Sequence, residues 1–260
     1  MKPADILVIG GTADSRKIIR MLCDKQARVL VAVATSYGAK LLPSHSCLQV
    51  HEGRLDMEKM VELIKQSRVK CLIDASHPYA ELVSCNAISA CQKTSVPYLR
   101  YERPQFIVEY EKIIEAETIY DAVLKLEDIK GNILLAVGSK DIQFFASSIS
   151  DYNKRLFVRV LPQSEVLLKC EKAGLTADNL IAMKGPFSIQ MNIEIIKHCK
   201  ASVLVTKDSG EEGGFAEKIY AAKEMDIPVI LIKRPLITYP QKTCCIDKVI
   251  DFAEYNVFQR

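Results

Sequence analysis

No stretch of the chain approaches the ~18 consecutive apolar residues that a membrane-crossing helix needs, so no membrane partner is expected. The opening Met1-Lys2-Pro3-Ala4-Asp5 lacks the basic, apolar and small-residue succession of a signal peptide. This predicts a cytoplasmic protein. Charge of one sign is scarce as well: 35 basic residues stand against 32 acidic ones, a net charge of +3. That balance argues against a nucleic-acid backbone as the main partner, while leaving room for a local basic site that takes a small anion. Metal-ligand spacing is also missing. There is no C-x-x-C and no H-x-x-x-H, and the nine cysteines are scattered, mostly inside apolar patterns as Cys23, Cys71 and Cys91 are. Reduced, buried thiols are expected, and no metal.

What the chain does have is alternation. Ile6-Leu7-Val8-Ile9 is a short apolar run ending in Gly10-Gly11, the pattern of a strand buried on both faces. A helical period follows, with Ile18, Ile19 and Leu22 on one face, and then the run Val29–Ala34. Met57, Met60, Val61 and Ile64 predict an amphipathic helix over 57–67. Strands are expected at 71–73 and from Val96, with a helix over 78–94 in which Pro78 takes the first position and His77 caps it. A second series places strands at 106–110, 133–137, 156–160, 180–183, 203–206 and 229–232. Strands alternating with helices imply an α/β fold: two Rossmann-like domains with mainly parallel sheets, divided near Arg103-Pro104 into residues 1–103 and 104–260. The active site is expected in the cleft between the halves.

In open α/β sheets ligands bind beyond the carboxyl ends of the strands. Gly10-Gly11-Thr12, at the first strand-to-helix turn, suits a diphosphate, because glycines let the backbone approach and a helix N-terminus supplies N–H donors. The spacing departs from G-x-G-x-x-G: two glycines are adjacent and Ser15 stands in place of the third. The second strand ends in Thr35-Ser36 rather than in a carboxylate. Two hydroxyls there can bond a 2′-phosphate, and Arg54 adds a cation if its loop folds back. This favours NADPH over NADH. Ser76 and His77 fall where the nicotinamide end of a dinucleotide would lie. Lys140 and Lys207 are expected at helix starts, where a cation is disfavoured unless an anionic ligand is present. The richest loop runs Thr206-Lys207-Asp208-Ser209-Gly210, and Lys184 and Arg234 add further cations at the same edge.

The run Ile6–Arg16, Asp74–Ala80, Leu99–Pro104, Lys184–Ser188, Thr206–Gly210 and the closing Lys233-Arg234-Pro235 together resemble the precorrin-6A reductase family of cobalamin biosynthesis, in the family's order and over nearly the whole chain. The resemblance implies NADPH-dependent reduction of precorrin-6A or cobalt-precorrin-6A, an anionic tetrapyrrole. It also implies two Rossmann-like domains that exchange a strand. By position, Gly10, Gly11 and Thr12 would hold the diphosphate, Thr35 and Ser36 the adenosine phosphate, and Ser76 and His77 the nicotinamide. Lys207, Asp208 and Ser209 would line the tetrapyrrole side, where Gly210 and the cations Lys140 and Lys184 also fall at the same edge, and the proton would be delivered by Lys207, His77 or water. The family commonly has Glu at the place of Asp14 and Thr at the place of Ser76; both changes keep the chemical type. Two rivals stand beside this reading: another NADPH reductase acting on a smaller acid or imine, and a non-catalytic dinucleotide sensor.

Overall fold

A computed structural model describes residues 2–105, 108–208, 210 and 213–258. The chain divides into two units, Met1–Pro104 with Leu236–Arg260, and Gln105–Pro235. Each unit is built on a six-stranded, all-parallel sheet, so the fold is α/β of the Rossmann type.

The first sheet contains β1 (Ile6–Ile9), β2 (Val29–Val33), β3 (Leu48–Glu52), β4 (Cys71–Asp74) and β5 (Tyr98–Tyr101). The second contains β6 (Ile113–Ala116), β7 (Asn132–Ala136), β8 (Leu156–Val160), β9 (Leu180–Ala182), β10 (Ala201–Lys207) and β11 (Val229–Ile232). A last strand, β12 (Lys242–Thr243), returns to the first sheet beside β5. The orders are β3-β2-β1-β4-β5-β12 and β9-β8-β7-β10-β11-β6. Both follow one plan, in which the fourth strand lies on the far side of the first. In the first sheet the sixth place is filled from outside the run of chain that supplies the other five, while the second sheet draws all six strands from residues 113–232. The strand after β5 goes to the second sheet, and the strand after β11 goes to the first.

Every β1 side chain is buried, and alternate residues feed two cores. Ile6 and Val8 pack with Ile18, Ile19, Val249 and Val257, so the helices Ala13–Asp24 and Ile246–Phe258 cover one face. Leu7 and Ile9 pack with Met60, Ile64, Ala87 and Ala90 from the helices Met57–Ser67 and Glu81–Thr94 on the other. In the second unit Leu134 and Leu204 meet Ile193, Ile196, Ile219 and Ala222, while Ile133, Leu135, Val203 and Val205 are buried at the alternate positions. Among the described residues no helix is long and apolar enough to cross a membrane.

Several details differ from the sequence expectation. The second half was expected to run over 104–260, but residues 236–260 lie with the first unit, because the amphipathic face of Ile246–Phe258 completes its core. The strand expected over 106–110 is not found: 106 and 107 lie outside the described residues, 108–110 carry no strand, and β6 comes later, at Ile113–Ala116. The helix expected from Pro78 begins at Glu81. Its cap is Ala80 rather than His77, since the His77 carbonyl accepts the Ala80 N–H and closes a turn first. Truncation of Ile250, which is 5% exposed in the core of the first unit, should cost about 2–5 kcal/mol. Urea unfolding of Ile250→Ala against the unaltered protein checks this; an unchanged midpoint would show that the C-terminal helix does not complete that core.

Candidate functional site

At the carboxyl end of β1 the chain turns through Gly10 and Gly11 into the helix Ala13–Asp24. A Cβ on Gly10 would come within 3.0 Å of Val31 Cγ1, so this residue lets the turn sit tight against β2. Gly11 has φ +116°, a conformation glycine adopts at no steric cost, and a Cβ there would meet nothing within 4 Å. Thr12 caps the helix: its Oγ1 accepts the Ser15 N–H at 3.0 Å and donates to the Ala75 carbonyl at 3.0 Å, tying this turn to the end of β4. Ser15 Oγ in return accepts the N–H groups of Gly11 and Thr12 at 3.1 and 3.0 Å. Ser15, found where the usual pattern has a third glycine, therefore braces the turn by hydrogen bonds. Asp14 pairs with Arg103 at 2.7 Å, which joins two of the sequence motifs.

The end of β4 is held by a buried ion pair. Asp74 and Arg100 are cross-strand neighbours in β4 and β5, both with fully buried side chains, and Arg100 Nη1 donates to Asp74 Oδ1 at 2.9 Å. Asp74 also accepts from the Ser76 N–H (3.1 Å), Ser84 Oγ (2.6 Å) and the Tyr98 hydroxyl (2.9 Å). Burial, then the Asp74 charge, hold the Tyr98 phenol far above its ordinary range, so it remains a donor. The other side of Arg100 is met by Glu102 at 3.4 Å and by the Tyr239 ring at 5.3 Å. Arg100 Nη1 further donates to Ser76 Oγ at 2.9 Å. Ser76 is thus buried and fixed. His77, next in sequence, is exposed. Its Nδ1 accepts the Tyr79 N–H at 3.3 Å, which assigns the imidazole proton to Nε2.

Thr35 and Ser36 follow β2, and both are exposed. Thr35 caps the short helix Ser36–Lys40 by accepting the Gly38 N–H at 3.1 Å. The Gly53 N–H donates to the Val33 carbonyl at 2.9 Å, so the chain carrying exposed Arg54 leaves β3 directly beside the end of β2.

In the second unit Lys207 is the last residue of β10 and does not begin a helix; the next helix starts at Phe215. The conflict between a cation and a helix N-terminus therefore does not arise there. Lys207 Nζ instead pairs with Asp141 Oδ2 at 2.6 Å, with both side chains largely buried. Asp208 is buried, accepts the Gly210 N–H at 3.0 Å and pairs with Arg234 Nε at 3.0 Å. Lys140 and Lys184 are exposed. Ser209 lies outside the described residues. Sequence reasoning missed Asp74 with Arg100, Asp141, and the tie between Asp208 and Arg234. A signal was present: in both halves an aspartate stands at or just after the end of the fourth strand of the plan, and an arginine at or just after the end of the fifth.

Residues 5–254 match the family model described as precorrin-6x reductase CbiJ/CobK. The chain is 38% identical to the cobalt-precorrin-6A reductase of Salmonella typhimurium, over 90% of this chain and 89% of that one. It is 35% identical to the cobalt-precorrin-6A reductase of Priestia megaterium, over 94% of this chain and 96% of that one. A solved structure, CobK precorrin-6A reductase, superposes with a TM-score of 0.77 at 23% identity, covering 96% of this chain and 95% of that one, and supports the fold.

Arg100→Met leaves Asp74 buried without its counter-charge, and breaking such a pair costs about 3–5 kcal/mol. Equilibrium unfolding should show a loss of that size; a change under about 1 kcal/mol would mean that the pair does not hold the end of β4.

Proposed function

The chain belongs to the precorrin-6x reductase family, and on that premise we propose that it uses NADPH to reduce cobalt-precorrin-6A, with the glycine turn after β1 as the dinucleotide site. The activity is that of an oxidoreductase acting on a carbon–carbon double bond in cobalamin biosynthesis. The observation that carries the cofactor reading is the place of Gly11: an unobstructed glycine at the opening of a twelve-residue helix, where the strand order of a parallel sheet reverses. The cobalt form is favoured because both relatives described above bear that name.

These residues fit a phosphorylated dinucleotide. Gly10, Gly11 and Thr12 would face the diphosphate. Thr35 and Ser36 present hydroxyls at the end of β2 with no carboxylate among them, and Arg54 leaves the neighbouring strand beside them. That set suits a 2′-phosphate and gives NADPH preference over NADH. When bound, the cofactor supplies a hydride from its nicotinamide C4 to an electrophilic ring carbon of the tetrapyrrole. Ser76, immobilised by Arg100, gives the nicotinamide end a rigid wall. His77, with its proton on Nε2, and Lys207 are the candidates for delivering the proton that must reach the neighbouring carbon. Lys207 is held by Asp141, so its ammonium is oriented before substrate arrives. Asp208 shapes the turn through Gly210, and Lys140 and Lys184 offer exposed cations to the substrate's carboxylates.

Anaerobic turnover of precorrin-6A and of its cobalt complex, each with NADPH and with NADH, should show fastest nicotinamide oxidation with the cobalt complex and NADPH. Absence of oxidation with both tetrapyrroles would sink the assignment, and equal rates with the two nicotinamides would remove the role given to Thr35, Ser36 and Arg54. Lys207→Ala should lower kcat by roughly a hundredfold if Lys207 delivers the proton. Wild-type kinetics would take it out of the reaction.

A further inference from the structure

The second unit holds a cavity of about 190 Å³ at the carboxyl ends of β7, β8 and β9, whose lining includes neither Lys207 nor Asp141. Gly138 and Ser139 lie at its β7 side, Val160, Leu161 and Val166 form apolar wall, and Met183 and Phe187 close the β9 side. One charged residue lines it, Arg159, on β8. The guanidinium carbon sits 4.3 Å from the centroid of the Phe187 ring, and Nη1 donates to Asn192 Oδ1 at 2.7 Å. Asn192 is itself buried and braced, its amide donating to the Ser188 carbonyl at 2.8 Å. Among the described residues no carboxylate bonds to Arg159. This is unlike Arg28, Arg100, Arg103 and Arg234, each of which meets an aspartate.

A guanidinium lined up by an aromatic face and an amide, with donors left over and no internal anion, is built for an anion from outside. Burial pulls Arg159 down to about 10, a measure of how poorly its charge is solvated. Burial, then the charge of Arg159, push Lys218 down to about 7, with Glu217 and Asp208 acting in the opposite direction.

We propose that this cavity is a carboxylate subsite, in which Arg159 takes one acid side arm of the tetrapyrrole while Val160, Leu161, Val166 and Phe187 pack around the arm's methylene groups. The inference rests on the reductase reading above and names a substrate contact that reading lacks. A phosphate of the cofactor is the other anion to consider. The surroundings disfavour it: the walls are apolar, and the helix that follows Gly138 has seven residues and opens on Asp141, where the first unit has the neutral Thr12. The Asp141 carboxylate at that opening repels a diphosphate.

Two variants test the proposal in steady-state kinetics with cobalt-precorrin-6A and NADPH varied in turn. Arg159→Leu removes the charge. Val166→Phe fills the cavity from its wall and leaves the bond between Arg159 and Asn192 in place. Each should raise KM for cobalt-precorrin-6A roughly tenfold or more, the worth of one charge-assisted hydrogen bond, with KM for NADPH unchanged and kcat affected less. A substrate KM within twofold of wild type for Val166→Phe overturns the subsite, whatever the folding of Arg159→Leu. A rise in KM for NADPH instead assigns the cavity to a cofactor phosphate and equally overturns it. Loss of turnover in the unaltered protein would count against the reductase reading, and so is separable from failure of this one.

Discussion

The buried contact between Asp74 and Arg100 is the constraint on which the candidate site in the first unit depends. Two ions with no solvent exposure are costly to desolvate, and mutual attraction offsets that cost only when the remaining donors and acceptors are also satisfied. Here they are. Asp74 receives a backbone N–H, two hydroxyls and the guanidinium, from the loop after β4, the helix Glu81–Thr94 and β5. Arg100 extends the network to Ser76 on one side and to Glu102, Tyr239 and Lys242 on the other. The effect is positional. A loop that must present Ser76 and His77 in one conformation hangs from a strand end that can adopt no second arrangement without stranding a charge.

The second unit repeats the device. Asp208 follows β10 as Asp74 ends β4, each aspartate accepts the N–H two residues on, and each meets an arginine, Arg100 within β5 and Arg234 just after β11. Coupled with the matching strand orders, this makes the two units versions of one design. The second is built from one run of chain, Gln105–Pro235, whereas the first is not. Because β12 fills the sixth place of the first sheet, residues 1–104 supply only five of its strands, and the polypeptide must reach its C-terminus before the first core is closed by Val249, Ile250 and Val257.

How much of this was legible follows from where each element gets its stability. Strands buried on both faces declare themselves by composition, so Ile6–Ile9 and Val229–Ile232 fall where the apolar runs put them, and the helix Met57–Ser67 follows its period. Edge strands do not: Leu48–Glu52 is half-exposed with polar alternation, and Lys242–Thr243 is two residues held by β5 alone. The glycine turn was readable as a motif, but the bracing role of Ser15 was not, since it needs the coordinates of three hydrogen bonds. Arg100 stood in plain view within Leu99–Pro104. Its partner is 26 residues away, and only strand pairing brings the two together.

The same lesson bears on electrostatics. Counting lysines and arginines along one sheet edge suggests a broad cationic surface for a polycarboxylate, yet several of those charges are already answered from within. Lys207 is met by Asp141, Arg234 by Asp208 and Arg103 by Asp14. Paired cations contribute orientation more than long-range field, because at the distance of an approaching anion each pair is close to neutral. The attraction for substrate then has to come from cations without internal partners. Exposed Lys140 and Lys184 supply it weakly, through water and salt. Arg159 supplies it at short range, because the walls around it are largely apolar and its geometry is already set by Phe187 and Asn192. Recognition of a large, flexible acid by this fold is better served by one pre-organised guanidinium in a cavity than by many lysines at the rim.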